Sequence, residues 1–171
     1  MTPRVKIIVF CLLSLALIGL DSITKELART HLRDQEPISY LYDSFRLEYA
    51  ENTGAFLSLG SDMPDTLKFW LLSILPLAFL GGLCFYALRK AGELNTGSLI
   101  ALSLIFAGGL GNIKDRILYD MHVTDFMIFG IMSLKTGIVN FADIYVTFGA
   151  IALLVFYREK KVLPEVPEQS S

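Results

Sequence analysis

The chain has 171 residues, of which 53% are hydrophobic and 19% charged, a balance that argues against an ordinary soluble domain. Its net charge of -2 and its lack of a strongly basic segment exclude a nucleic-acid-binding protein. The composition therefore predicts a protein whose solvent is the lipid bilayer.

Four apolar runs predict four transmembrane helices, at about residues 5–22, 68–88, 98–116 and 137–157. The first run has a charged start like that of a signal peptide, but no A-x-A-like cleavage site follows it, so a retained helix is predicted. The apolar cores of the first and third spans are short for a hydrocarbon layer of about 30 Å. Their polar flanks are therefore expected inside the membrane edge.

Basic residues beside the spans predict that both termini lie in the cytoplasm. Short segments on one side of the membrane carry Arg4, Lys6, Arg89, Lys90, Arg158, Lys160 and Lys161. The longer loops on the other side also contain basic residues, so the bias favours this orientation without deciding it. Residues 163–171, with their prolines and terminal serines, are predicted to be a disordered cytoplasmic tail after a single membrane-embedded domain of residues 1–162.

The first external loop is predicted to contain structure of its own. Residues 22–32 indicate a short amphipathic helix, and Phe45, Leu47 and Tyr49 alternate with charged residues as in a strand. Residues 38–42 could pair with that strand. The fold class is thus an all-α membrane protein with a small extracytoplasmic β-sheet platform at headgroup level, where aromatic rings are favoured. The alternative is a loop that packs on the helices.

Asp143 is expected in the second turn of the last span. A carboxylate in a membrane costs a few kcal/mol unless it is paired, protonated or facing water. Asn140 and Thr147 are spaced to lie on the same helix face, which can therefore point into the bundle. A role in interhelical hydrogen bonding is the alternative to a catalytic role.

Asp125 lies in HVTDFMIF, an apolar stretch that is too short to cross the membrane and returns the chain toward the last helix. A second carboxylate is thereby expected at the depth of Asp143. Two close carboxylates tend to share a proton, so that one acts as base and the other as acid. The hypothesis is a carboxylate pair that activates water against a peptide bond, and it rests on topology rather than on any spacing.

Further polar residues stand at the predicted helix ends. Asp21 and Lys25 are one turn apart, which indicates an ion pair with a structural role. In ENTGAF, Asn52 and Gly54 are typical of a turn, although the amide of Asn52 could instead reach the aspartates.

In GGLGNIKDR, three glycines allow a close helix approach just before the polar residues begin. Asn112 falls on the apolar side of this boundary and needs a partner. Asp115 and Arg116 could be a solvated pair that anchors the end of the span.

Taken together, Asp21 with Lys25, NTGAF, GGLGNIKDR, VTDF and VNFAD, in this order among four spans, resemble the lipoprotein signal peptidases, or signal peptidase II. The resemblance covers nearly the whole chain. It implies a monomeric aspartyl endopeptidase of the bacterial inner membrane, with its active site near the outer face. Such an enzyme removes the signal peptide of prolipoproteins on the amino side of their diacylglyceryl-modified cysteine, without a metal or other cofactor.

The resemblance also implies roles for individual residues. Asp125 and Asp143 would be the catalytic dyad. The residues that would support the site or bind substrate are Asn52, Gly54, Asn112, Arg116 and Asn140, and the structural polar residues would be Asp21, Lys25 and Asp115. Thr124 and Val139 depart from the family pattern, so the family does not predict the shape of the pocket beside the dyad.

Other classes of protein are less well supported. A channel or transporter with a proton or cation path would need polar residues below Thr147, where the last helix reads FGAIALLVFY. An inactive relative that binds lipidated peptides is disfavoured because both carboxylates are present. His31 and His122 lack zinc-site spacing, and Ser22 and Ser58 have no base at a recognisable spacing, so neither a metallopeptidase nor a serine peptidase is predicted.

Overall fold

The structure is a computed structural model that describes residues 1–54, 60, 62–131 and 134–162, with side chains described as far as residue 156. Within this part of the chain it contains long helices and one antiparallel sheet. The predicted disordered tail at residues 163–171 and Ser58 lie outside the described residues.

The helices account for most of the described chain. Helix α1 is Pro3–His31, and α2, Asp65–Phe69, continues through a π-helical turn, Trp70–Ile74, into α3, Leu75–Arg89. Helix α4 is Thr96–Leu118 and α5 is Phe141–Val162. Among the described residues, Pro3–His31, Asp65–Arg89 and Thr96–Leu118 are long and apolar enough to cross a membrane, and the apolar part of α5, Phe141–Phe156, is shorter.

The sheet joins two distant parts of the chain. Strand β1, Ile38–Tyr40, pairs with β2, Phe45–Asn52, which confirms the predicted pairing. Strand β2 pairs in turn with β3, Val123–Ile131, and β3 with β4, Leu134–Lys135. The apolar stretch around Asp125 is therefore a strand, because its backbone groups pair with β2, and the sheet is larger than the predicted hairpin.

The prediction of a separate short helix at residues 22–32 is wrong, since α1 continues without interruption to His31. Hydropathy falls at Asp21, which suggested an end to the span. The helix continues because Asp21, Lys25 and Ala28 stand on one face and are buried against the rest of the protein. Polar partners on neighbouring elements thus take the place of the water that was expected around Asp21 and Lys25.

The last helix begins later than predicted, at Phe141 rather than near residue 137. Val139 instead forms an isolated bridge with Met127 of β3, donating its N–H to the Met127 carbonyl at 2.8 Å. Asp143 therefore lies in the first turn of α5, not in the second. This shift gives Asn140 the position that caps the helix.

Helix α4 packs between α5 and α1 and also contacts α3. Glycines permit the close approach of α4 to α5: a Cβ on Gly108 would lie 2.3 Å from the Ala142 carbonyl oxygen, and one on Gly149 would lie 2.9 Å from that of Ala101. Much of the surface of α1 is apolar and exposed, as at Leu12 and Leu15, which suits contact with lipid.

Candidate active site

Asp125 lies on β3 with its carboxylate buried. Asn52, the last residue of β2, is two residues beyond the cross-strand partner of Asp125, Ala50, so the two side chains are diagonal neighbours on one face of the sheet. Asn52 Nδ2 donates to Asp125 Oδ2 at 2.9 Å. Asn140 Nδ2 donates to the other oxygen, Oδ1, at 2.6 Å. Both oxygens of this carboxylate therefore accept an amide N–H.

Asp143 is held by the cap of its own helix. Asn140 Oδ1 accepts the backbone N–H of Asp143 at 2.9 Å, and Asp143 Oδ2 accepts the backbone N–H of Asn140 at 3.2 Å. These reciprocal bonds form a capping box, which fixes the first turn of a helix. A carboxylate at a helix N-terminus is also stabilised in its ionised form by the helix dipole.

Asn140 consequently contacts both aspartates, one through its side-chain amide and the other through its backbone N–H and side-chain oxygen. The sequence predicted that Asp125 and Asp143 would meet, and the structure brings them to this common partner. The proximity rests on the tertiary fold, because β3 and α5 approach each other through the bridge of Met127 with Val139.

Asn112 of α4 contacts the other oxygen of Asp143, donating from Nδ2 to Oδ1 at 2.9 Å. Its own side-chain oxygen accepts from Lys25 Nζ at 2.9 Å and from Asn140 Nδ2 at 3.2 Å. The predicted need of Asn112 for a partner is thus met by three residues, one on α1 and two at the start of α5.

A buried ion cluster lies behind these amides. The ammonium of Lys25 is 2.9 Å from Asp21 Oδ2 and 3.3 Å from Asp115 Oδ2, and all three side chains are fully buried. Arg29 Nη2 is 3.1 Å from the same oxygen of Asp115, and its Nε donates to Thr124 Oγ1 at 2.9 Å. Two cations thereby balance two carboxylates, as groups removed from solvent require.

The cluster also reaches the helix that carries Asp143. Asp21 Oδ1 accepts the backbone N–H of Ala142 at 3.0 Å, within the first turn of α5. Gly111 makes room for this contact, since a Cβ there would lie 2.6 Å from Asp21 Oδ2. The predicted ion pair of Asp21 with Lys25 is confirmed, and it is one part of a larger cluster.

Arg116 is buried and does not form the predicted solvated pair with Asp115, because Asp115 turns to Lys25 and Arg29. Arg116 Nη2 instead donates to the Gly54 carbonyl at 2.6 Å. The Gly54 N–H donates to Asn52 Oδ1 at 2.9 Å, the geometry of an Asx turn. Asn52 thus forms the predicted turn and also reaches Asp125, the two possibilities that its sequence left open.

A cavity of about 320 Å³ opens beside Asp143. Its polar wall includes Asn112, Arg116 and Thr147, and the rest of its lining is mostly apolar. The residues that complete the lining are Leu72, Pro76, Gly109, Ile113 and Val146. Thr147 lines this cavity together with Asp143, as expected of two residues on one face of α5, but its side chain is exposed rather than buried in the bundle.

The environment of Asp125 changes its acidity. Burial raises the pKa of the Asp125 carboxyl, and the nearby Asp143 carboxylate raises it further, to about 7. The amides of Asn52 and Asn140 oppose this shift by donating to the ionised form. Asp125 can therefore keep a proton close to neutral pH, where an ordinary aspartate is fully ionised.

Sequence reasoning missed Arg29 and Thr124 as members of the cluster. Arg29 follows Lys25 by four residues and Asp21 by eight, a spacing that places all three on one helix face. This polar stripe could have revealed Arg29 as a member of the cluster. The predicted elements instead assigned Asp21 to the first span and Lys25 and Arg29 to a separate loop helix. Thr124 was noted only as a departure from a family pattern.

A bundle of apolar helices with a buried and a half-buried carboxylate on a common partner is the arrangement that a membrane-embedded aspartic hydrolase requires. The model of the family described as "Signal peptidase (SPase) II" matches residues 13–158. The chain belongs to the signal peptidase II family and is an aspartic peptidase.

Individual proteins agree with this assignment. The chain is 36% identical over 145 residues to a lipoprotein signal peptidase of Borrelia duttonii (strain Ly), covering 82% of this chain and 84% of that protein. It is 35% identical over 159 residues to a lipoprotein signal peptidase of Chlorobaculum tepidum (strain ATCC 49652 / DSM 12025 / NBRC 103806 / TLS), covering 88% and 94%.

Solved structures share the fold. A chain described as a bacterial membrane enzyme superposes with a TM-score of 0.80, at 24% identity, over 94% of both chains. A second chain with the same description has a TM-score of 0.73, at 25% identity, over 85% of this chain and 90% of that chain.

Proposed function

We propose that this peptidase removes the signal peptide of prolipoproteins on the amino side of their diacylglyceryl-modified cysteine, and that Asp125 and Asp143 are its catalytic dyad. The observation that carries the proposal is the shared partner. Asn140 donates from Nδ2 to Asp125 at 2.6 Å and from its backbone N–H to Asp143 at 3.2 Å. One residue thus sets the mutual position of both carboxylates, which is the preorganisation that general acid–base catalysis needs.

The environments of the two aspartates support different roles. Asp143 accepts N–H groups on both oxygens at the positive end of α5, which favours the ionised form of a general base. Asp125, with its pKa raised to about 7, retains the proton of a general acid.

The reaction then balances without a cofactor. Asp143 takes a proton from a water molecule as the water oxygen attacks the scissile carbonyl carbon, and Asp125 gives its proton to the carbonyl oxygen. In the second step the C–N bond breaks, the proton on Asp143 passes to the leaving nitrogen, and Asp125 recovers a proton from the gem-diol. The dyad returns to its starting state, one carboxyl protonated and one ionised.

The cavity beside Asp143 supports an apolar peptide as substrate. Its apolar wall suits the side chains of a signal peptide, and Asn112 and Arg116 supply polar groups at the end nearest the dyad. Arg116 also orders the turn of Asn52 and Gly54, so these residues would support the site or bind substrate.

The topology belongs to the same proposal. Residues 1–162 would form one membrane-embedded peptidase domain with four spans, both termini in the cytoplasm and the active site near the outer face of the bacterial inner membrane. The sheet would lie at headgroup level as a platform. The enzyme would act as a monomer on prolipoproteins that reach it through the bilayer.

Cleavage of a diacylglyceryl-modified prolipoprotein by the purified chain, reconstituted in lipid, tests the proposal. We expect Asp125→Asn and Asp143→Asn each to lower kcat by at least about 10²-fold, because each removes a proton-transfer group. Asp34→Asn is the matched control, since Asp34 is exposed.

Circular dichroism and the thermal midpoint establish that the variants fold. Full activity of either dyad variant would overturn the site assignment. Binding of the prolipoprotein by the unchanged chain without cleavage would show a peptide-binding relative instead of a peptidase.

A further inference from the structure

Lys25 is a fully buried lysine whose ammonium lies close to three oxygen atoms. Its Nζ lies 2.9 Å from Asp21 Oδ2 and 3.3 Å from Asp115 Oδ2, both as ion pairs, and donates a hydrogen bond to Asn112 Oδ1 at 2.9 Å. A lysine ammonium has three N–H donors and no acceptor, so it can serve all three oxygens. The two carboxylates would suffice for a structural ion pair, and the third contact connects the cluster to the candidate dyad.

The contact with Lys25 determines which way the Asn112 amide points. A side-chain amide has an oxygen that only accepts and a nitrogen that only donates. The Asn112 oxygen faces two donors, Lys25 Nζ and Asn140 Nδ2, and Lys25 is the charged and closer one. The nitrogen is therefore left to face Asp143, where it donates to Oδ1 at 2.9 Å.

We infer that Lys25 is a positioning residue of the peptidase site, which acts through Asn112 to hold Asp143 in place and in the ionised form of the general base. The inference rests on the dyad proposed above. A cation bonded to the amide oxygen strengthens the N–H that the same amide donates, because successive hydrogen bonds polarise one another. Without the cation, this polarisation is lost, and the Asn112 oxygen keeps only the weaker and longer bond from Asn140.

Several charged groups surround Asp143. Lys25 and Asp21 face it from α1, Asp115 and Arg116 from α4, and Asp125 from β3. Among these groups, Lys25 is linked to Asp143 by a single bridging amide.

Three of the remaining groups have other partners. Asp21 and Asp115 are engaged by cations, and Arg116 donates to the Gly54 carbonyl. Replacing Lys25 alone leaves Asp21 without its cation, so a neutralised pair of substitutions is also needed.

The test compares kcat, KM and the pH profile of kcat for prolipoprotein cleavage in Lys25→Met and in Lys25→Met/Asp21→Asn. We expect kcat to fall by about 10- to 100-fold in both, the effect of one charge-assisted hydrogen bond, with KM changed by less than about threefold. The acidic limb of the profile moves to higher pH, because the base loses a cationic neighbour and is protonated more readily.

Lys114→Met is the matched control. Lys114 also joins α4 to α1, donating to Ser22 Oγ at 2.5 Å, but it is not bonded to Asn112. We expect the pH profile of kcat of the Lys114→Met variant to have the same acidic limb as that of the unchanged enzyme. A purely structural role for Lys25 would lower the thermal midpoint and the active fraction in its variants while leaving the acidic limb in place, and this result would overturn the inference.

A double-mutant cycle tests the route through Asn112. In the Asn112→Ala background, Lys25→Met should lower kcat by no more than about twofold, because the bridging amide is already absent. Equal fold losses in both backgrounds would refute a relay through Asn112. If the unchanged enzyme does not cleave the prolipoprotein, the proposed function fails. If it does cleave, but the Lys25 variants keep the acidic limb of the unchanged enzyme, only the inference about Lys25 fails.

Discussion

Gly108 is a position where adding a single carbon atom should disturb the dyad, because α4 meets the first turn of α5 there. An alanine Cβ there would lie 2.3 Å from the carbonyl oxygen of Ala142, 2.9 Å from Val146 Cγ2 and 3.1 Å from the Val146 nitrogen. Ordinary contact begins at 3.4 Å, so the shortest distance, 2.3 Å, is too short by about 1 Å. Backbone atoms cannot rotate away, and Gly108→Ala must therefore separate α4 from α5 by about 1 Å at this level.

This displacement acts directly on the site. Ala142 immediately precedes Asp143, and Gly108 lies one turn before Asn112, whose bond to Asp143 measures 2.9 Å. A misplacement of about 1 Å can cost about 10²-fold in rate, and overpacking a core costs about 1–3 kcal/mol. We expect kcat to fall by about 10²-fold and the free energy of unfolding to fall by about 1–3 kcal/mol.

Cleavage kinetics and thermal unfolding in the same lipid measure both effects. Gly82→Ala is the first control, because a Cβ there would have nothing within 4 Å. Gly109→Ala is a second comparison: its new Cβ would meet the flexible side chain of Leu80, and because Gly109 lines the cavity beside Asp143, we expect its effect mainly on KM. A Gly108→Ala enzyme with unaltered kcat would show that the spacing of α4 and α5 does not position the dyad.

Three further predictions follow from the hydrogen bonds and acidity of the site. Asp125 must be protonated to act as the acid, and its pKa is raised to about 7. We therefore expect kcat to fall as the pH rises through about 7. A kcat that stays constant from pH about 6 to 9 would contradict this role. Asn52→Ala removes a hydrogen-bond donor to the ionised form of Asp125, so the pKa of Asp125 rises further. The alkaline limb of the pH profile of kcat should therefore move to higher pH. A shift of this limb to lower pH would refute Asp125 as the general acid. Arg29→Lys loses the planar guanidinium that contacts both Thr124 and Asp115. We expect thermal unfolding to show a free energy of unfolding lower by about 1–2 kcal/mol. Arg33→Lys, at an exposed ion pair, is the control and should change the free energy of unfolding little.

The family and the chemistry could be predicted from sequence because the residues that carry them are unusual in a membrane. Asp125 and Asp143 lie in apolar surroundings where an ionisable group needs a functional or structural reason. The apolar runs predicted the second and third spans to within three residues at each end, since length and hydropathy decide whether a helix can cross a bilayer.

Errors in the predicted fold arose where local pattern and tertiary pairing disagreed. The fall in hydropathy at Asp21 suggested the end of a span, but the partners of Lys25 on α4 allow α1 to continue. The stretch around Asp125 has no period-2 alternation, because much of β3 is buried on both faces, and so it did not read as a strand.

The residue types of the candidate site can be read from the sequence: two carboxylates, the amides beside them and a lysine one turn after an aspartate. The contacts among these residues depend on the tertiary fold. Asn140 contacts both aspartates because Val139 joins the sheet and α5 starts afterwards, and Lys25 reaches Asn112 because α1 packs against α4. Hydrogen bonds act over about 3 Å, whereas Asn140 is 15 positions from Asp125 and Lys25 is 87 positions from Asn112, so only folding can bring these donors and acceptors together.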